Sequence, residues 1–182
     1  QLALYKESYH GQILYGKIPD KKPALAPNCA TCHGIHGATP PGVSEVPNVC
    51  GNCHSVTANA FREGPHYIAL EETGVPRCID CHGNHKIAFP SLAMFDGSDE
   101  GHCGMCHSQD DTQTYGKGQK VKKALAAALE AIDQGKKGVE EAESAGMNVD
   151  DFLTNLEKAH NDVVQATTLV HTLNFKKVED LS

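Results

Sequence analysis

All eight cysteines of the chain occur in pairs, and every pair has two residues between its members and a histidine directly after it. The four motifs are Cys29, Cys32 and His33; Cys50, Cys53 and His54; Cys78, Cys81 and His82; and Cys103, Cys106 and His107. Two thiols one helical turn apart can bond to the two vinyl groups on one edge of a porphyrin, while the adjacent imidazole binds the iron. The spacing therefore predicts four covalently attached c-type haems.

Zinc ribbons and disulfide frameworks are the alternatives for a chain with this many paired cysteines. Neither requires a histidine after each pair, whereas here all four pairs have one. The chain also has no Trp and only 5% aromatic residues. A protein core would normally use such large apolar side chains, so this composition also favours porphyrin as interior material.

Seven histidines remain as candidates for the sixth, distal position on the irons. A duplication nominates four of them, because CHGIH at residues 32–36 returns as CHGNH at 81–85, and a histidine next to a tyrosine lies near the start of each half. These four are His10, His36, His66 and His85. The weaker candidates are His102, His160 and His171. Met94, Met105 and Met147 offer little alternative, so bis-histidine ligation and low potentials are expected.

His36 and His85 each follow a motif histidine by three residues. Two imidazoles on one iron must hold it between nitrogens roughly 4 Å apart, on opposite faces of the porphyrin. A histidine so close in sequence does not reach the far face of the same haem. We therefore expect His36 and His85 each to bind the iron of a neighbouring haem, which would bring haems close together.

The fold class predicted is mostly irregular and α-helical. Residues 1–112 are rich in Pro and Gly and read as a loop-rich tetrahaem domain whose stacked haems form the core, made of two dihaem repeats at about 1–56 and 57–112. Residues 113–182 read as a helical hairpin. Its first stripe is Val121, Leu125, Leu129, Ile132 and Val139. Its second is Phe152, Leu156, Ala159, Val163, Ala166, Val170 and Leu173.

The charge and hydropathy of the chain limit its partners and location. A formal charge of −7, to which haem propionates would add, makes nucleic acid a poor partner. The chain contains no stretch of about 18 apolar residues, so no membrane span is predicted. Covalent haem attachment takes place outside the cytoplasm, and a removed signal peptide would explain a chain that starts at Gln1. The expected location is extracellular or on the cell surface, otherwise periplasmic.

Over about residues 5–110 the sequence resembles the multihaem cytochrome c superfamily, through Ser8, Tyr9, His10 and Gly11 together with Cys29 to His36. In haem count and motif set it is similar to the tetrahaem extracellular cytochrome nanowires of metal-reducing bacteria and some archaea. That resemblance implies a homopolymer in which His10 binds a haem of the adjacent subunit. The helical tail does not align with that group.

Three functions compete at this point. The leading prediction is an electron conduit rather than an enzyme, either a filament subunit or a discrete carrier, with redox proteins or extracellular acceptors as partners. A catalytic multihaem reductase or oxidase needs an iron with an open position for its substrate. The chain has seven spare histidines for four irons, so no iron needs to keep an open position. A membrane-tethered donor or respiratory-complex subunit, docked through the helical hairpin, is the third.

Overall fold

The computed structural model describes residues 1–35, 46–87, 89–95, 102–108 and 110–181. Of these residues 72% are helical, and none lies in a strand. An α-rich fold with a helical C-terminal part is thus confirmed. The chain forms two compact units, Gln1–Ser91 and Leu92–Ser182. The fourth cysteine pair is therefore in the same unit as the long helices, although the sequence suggested a division near residue 112.

Short helices make up the unit Gln1–Ser91. Its α-helices are α1 (Leu2–Glu7), α2 (Tyr9–Leu14), α3 (Cys29–His33), α4 (Ser55–Arg62), α5 (Pro65–Thr73) and α6 (Cys78–His82). Two 3-10 helices, Pro23–Leu25 and Val46–Asn52, lie between them. Local signals explain several boundaries: Pro65 occupies the first turn of α5, and Gly74 ends that helix with φ of 82°.

Two long helices dominate the unit Leu92–Ser182. Two 3-10 helices, Leu92–Phe95 and His102–Met105, precede α7 (Thr112–Ser144). The chain then forms α8 (Asp150–Leu169), a 3-10 turn at Val170–Thr172, and α9 (Phe175–Glu179). The turn after α7 contains Gly146 at φ of 82°, and Asn148 accepts a hydrogen bond from the amide of Asp150. The predicted hairpin is therefore present, and α9 is an addition to it.

The hairpin has a hydrophobic core of its own. Its buried members are Val121, Leu125, Ile132, Val163, Ala166, Val170 and Val178. The predicted burial was wrong for two residues of the stripes, since Leu129 is 44% exposed and Phe152 is 58% exposed. Leu129 lies about 80° from Val121 around α7, at the edge of the stripe, whereas Phe152 stands in the first turn of α8.

In the described part of the chain, no helix combines the length and the apolar character that a membrane span would need.

Candidate functional site

The first and third motifs have the same backbone structure. Helix α3 runs from Cys29 to His33, and α6 runs from Cys78 to His82, so each helix consists of one CxxCH motif. Residues three apart in a helix lie on one face, and the two thiols of each motif therefore point the same way. Both helices end at a glycine with positive φ, 73° at Gly34 and 72° at Gly83, which only glycine adopts readily.

The second and fourth motifs share a different local structure. In each, a helical turn is closed by the amide of the histidine, which donates to the carbonyl of the first cysteine: His54 to Cys50 and His107 to Cys103, both at 2.9 Å. These motifs have serine after the histidine where the other two have glycine. The four motifs thus alternate between two backbone conformations along the chain.

The structure brings two motif histidines next to two of the predicted distal histidines. The ring centres of His10 and His54 lie 6.0 Å apart, with 30° between the ring planes. Those of His33 and His85 lie 5.8 Å apart, at 12°. His85 therefore faces the histidine of the first motif.

These separations can be compared with the needs of a haem iron. Two imidazoles that share one iron have ring centres roughly 6 Å apart, because two metal–nitrogen bonds of about 2 Å add to about 1 Å from each nitrogen to its ring centre. Packed aromatic rings cover the same range of distances. Both pairs are stacked, and in each of them one partner is the histidine of a CxxCH motif. The residue types and the ring separations are therefore those that two ligands of one haem iron would have.

His10 is held in place by its neighbours in the predicted SYHG motif. Ser8 is buried, donates to the carbonyl of Tyr5 at 2.6 Å and accepts from the amide of Gly11 at 2.9 Å, which caps α2. A Cβ on Gly11 would lie 1.9 Å from the Tyr5 carbonyl oxygen, so only glycine fits there. Burial first, and then the charge of His54, lower the pKa of His10 and favour the neutral ring that binds metals.

The same N-terminal segment is tied to the residues that follow α6. The amide of Tyr9 donates to the carbonyl of Ile87 at 2.8 Å, and the rings of Tyr9 and Phe89 are 4.9 Å apart. The ammonium of Lys86 lies 2.8 Å from the carboxylate of Glu7. The segment that carries His10 is therefore held within the unit Gln1–Ser91.

The first cysteines of the second and third motifs are in contact. The thiols of Cys50 and Cys78 share a hydrogen bond, which raises the pKa of Cys50 and lowers that of Cys78 to about 6. The 3-10 helix Val46–Asn52 also packs against α6. Groups attached at these two cysteines would therefore be close neighbours.

Within the described residues, no group of three or more His, Cys, Asp or Glu side chains is arranged to hold a metal ion. All eight cysteines are free thiols. A zinc ribbon would use four protein ligands, whereas a haem iron would take two. Each of the two histidine pairs offers two.

The remaining predicted ligands are distributed over both units. His66 lies half-buried at the start of α5, and His82 ends α6. In the second unit His102 begins a 3-10 helix, His160 is exposed on α8, and Nδ1 of His171 lies 3.0 Å from the Thr168 carbonyl oxygen. His36 lies outside the described residues.

Two residues beside the histidines were missed in the sequence. Asn84 accepts from the amide of His85 at 2.7 Å, and its Oδ1 lies 3.2 Å from Nδ1 of that ring. Asp111 lies 3.4 Å from Nδ1 of His107. Both stand close to their histidine in sequence, one residue before and four after, so adjacency was the available signal. Histidine ligands commonly use their second nitrogen in this way.

Comparison with protein-family models, with curated proteins and with solved structures gives no match to this chain. Its function is therefore inferred from its own residues.

Proposed function

We propose that this chain is an electron-transfer protein with four covalently bound c-type haems. The observation that carries the proposal is the pairing of two CxxCH histidines with histidines from distant segments, at 6.0 and 5.8 Å. When bound, haem supplies a reversible one-electron couple at iron. The eight cysteine thiols would each add to a vinyl group, forming a C–S bond, and the histidines would hold the irons.

The proposed ligand assignment follows from these pairs. His33 and His85 would hold the haem of the first motif, and His54 and His10 that of the second. Asn84 would hold the Nδ1 proton of His85, so that Nε2 is the nitrogen that binds iron. By the internal repeat, His36 stands where His85 stands in the other half, and we assign it to the haem of His82. His66 remains the proposed distal ligand in the second half.

Closed coordination favours a conduit over an enzyme. An iron with two imidazoles has no open position for a substrate, and the two observed pairs would close two of the four irons. His85 crosses from the third motif to the first, and the Cys50 and Cys78 thiols adjoin. These links would place neighbouring haems close enough for electrons to pass between them.

A discrete carrier is the form we propose, outside the cytoplasm, with redox proteins or extracellular acceptors as partners. His10 has a partner within its own unit, so no second subunit is needed to complete that iron. A filament remains the alternative, and its interface would then have to use other residues. Electron micrographs of the loaded protein distinguish the two forms.

The proposal is tested by intact mass and by absorption spectra of the protein produced with its attachment machinery. The mass should equal the chain plus four haems. His10→Ala and His85→Ala should each convert about a quarter of the low-spin haem to high-spin, because one iron of four loses an axial ligand. Asn161→Ala, on an exposed position of α8 that offers no imidazole, is the matched control and should leave the spectra unchanged.

Two outcomes would contradict the proposal. A mass without haem would remove the whole function, and unchanged low-spin spectra in both His10→Ala and His85→Ala would remove the ligand assignment. Loss of polymers in His10→Ala, where the parent protein forms them, would support the filament alternative.

A further inference from the structure

The histidine of the fourth motif has a carboxylate beside it. Nδ1 of His107 lies 3.4 Å from Oδ2 of Asp111, and both side chains are about two-thirds buried, at 37% and 34% exposed. The amide of His107 is bound to the Cys103 carbonyl, and the hydroxyl of Tyr115 lies 3.5 Å from the His107 carbonyl oxygen. The backbone of His107 is thus held at both its amide and its carbonyl, and the ring has Nδ1 toward Asp111.

Asp111 is itself firmly held. It is the N-cap of α7, where its Oδ1 accepts from the amide of Thr114 at 3.0 Å and its Oδ2 accepts from the Thr114 hydroxyl at 2.5 Å. The Thr114 hydroxyl first, and His107 to a smaller extent, lower the pKa of Asp111, so the carboxylate is charged at neutral pH. A 33-residue helix therefore presents a fixed negative charge to the histidine.

The repeat supplies a natural comparison. The second motif reads CGNCHS and the fourth CGMCHS, and the two share their backbone hydrogen bonds. Four residues after the histidine, however, the second motif has Ala58 where the fourth has Asp111. Two otherwise similar sites thus differ in one charged group at one position.

We infer that Asp111 is a positioning residue for His107, holding its Nδ1 proton so that Nε2 binds iron, and that its charge lowers the reduction potential of the fourth haem. The inference rests on the proposed function. A carboxylate on the second nitrogen of a ligating histidine makes that ligand more basic. A more basic ligand stabilises ferric over ferrous iron, so the fourth haem would be oxidised more readily than the second.

Three variants test this in the four-haem protein. Asp111→Asn keeps a helix-capping side chain but removes the charge. Asp111→Ser also keeps a cap but is too short to reach His107. Asp110→Asn removes the same charge one residue away and is the matched control. Circular dichroism should show unchanged helix content in all three.

Spectroelectrochemical titration gives the decisive readout. Asp111→Asn and Asp111→Ser should each shift the reduction equilibrium of one of the four haems about tenfold, which raises its reduction potential by ~59 mV for a one-electron couple. The reduction potentials of the other three haems should stay unchanged. Asp110→Asn should leave all four potentials unchanged.

Other results overturn the inference. A uniform shift of all four haems, an equal shift in Asp110→Asn, or no shift in either Asp111 variant would each show that Asp111 only caps α7. These results are distinct from failure of the proposed function, because that failure appears beforehand as a mass lacking the four haems.

Discussion

The two units of this molecule are similar in length but differ in what fills their interior. In Leu92–Ser182, seven buried apolar side chains form a continuous cluster along α7, α8 and α9. Among the described residues of Gln1–Ser91, a single apolar side chain, that of Ala60, is buried. Ser8 and Gly11 are buried there as well. One unit has a protein core, and the other holds three of the four CxxCH motifs.

The difference shows where each unit obtains its stability. Each buried Val, Leu or Ile contributes about 1.5–3 kcal/mol, so the second unit has an ordinary hydrophobic driving force. A single buried alanine offers the first unit far less against the entropy of ordering its backbone. If the proposed function is right, covalently attached porphyrins supply the missing apolar surface there.

The largest expected effect comes from removing the attachment cysteines of the first unit. Changing Cys29, Cys32, Cys50, Cys53, Cys78 and Cys81 to Ala should abolish protection from hydrogen exchange in helices α1 to α6. Helices α7 and α8 should remain protected, since their core is made of side chains. Exchange measured by mass spectrometry reports both units in one experiment.

The matched control changes only Cys103 and Cys106, which belong to the second unit. That variant should leave residues 1–91 as protected as in the parent protein. Equal protection of residues 1–91 in the six-cysteine variant would break the comparison, because the first unit would then hold its fold without attached groups.

A smaller effect is expected from truncating the core of the second unit. Leu125 is 0% exposed, and Leu125→Ala should lower the free energy of unfolding of this unit by about 2–5 kcal/mol, through lost burial and a cavity. Leu129→Ala, one turn further along α7 at 44% exposure, should cost much less. Denaturant titration followed by circular dichroism measures both.

The low-spin spectra expected from the proposed haems should stay unchanged in Leu125→Ala at low denaturant, since the substitution removes no proposed ligand. If Leu125→Ala and Leu129→Ala had equal effects, the second unit would not depend on the core described for it.

Much of the second unit could be predicted because apolar spacing at 3.6 residues per turn is a local signal. Val121, Leu125 and Ile132 are buried as that spacing predicts, and α7 ends at Ser144, before the glycine turn. Periodicity does not show where a neighbouring helix ends, so Phe152 was wrongly assigned to the seam. Helix α9 was missed, although Asn174 is a recognisable N-cap and Val178 is fully buried.

The residues that make up the candidate site could be named from the sequence, but the way they pair could not. The CxxCH spacing identifies the thiols and the motif histidines from five consecutive residues. Which histidine faces His54 depends on how residues 44 positions apart in sequence come together, and only the fold places His10 there. The short distance between His82 and His85 did exclude one pairing, because the geometry of a trans ligand is local.

The smallest effect concerns two glycines of α7, and it sharpens the comparison from the side of helix stability. Alanine favours a helix interior over glycine by about 1 kcal/mol. A Cβ on Gly138 would meet nothing within 4 Å, so Gly138→Ala should stabilise the second unit by about 0.5–1 kcal/mol. A Cβ on Gly135 would lie 2.8 Å from Cδ2 of Leu156, so Gly135→Ala should gain less, because that side chain must move.

Three of the four proposed haems would be attached to the first unit and one to the second, so most of the haem absorption would report the first unit. In thermal unfolding, Gly138→Ala should raise the midpoint of the helix signal and leave the main haem transition where it was. A gain that moved both signals equally would mean that the units unfold together, and the contrast between a side-chain core and attached groups would then describe one cooperative structure. Equal stabilisation by Gly135→Ala and Gly138→Ala would instead show that the Leu156 side chain does not restrict a Cβ at position 135.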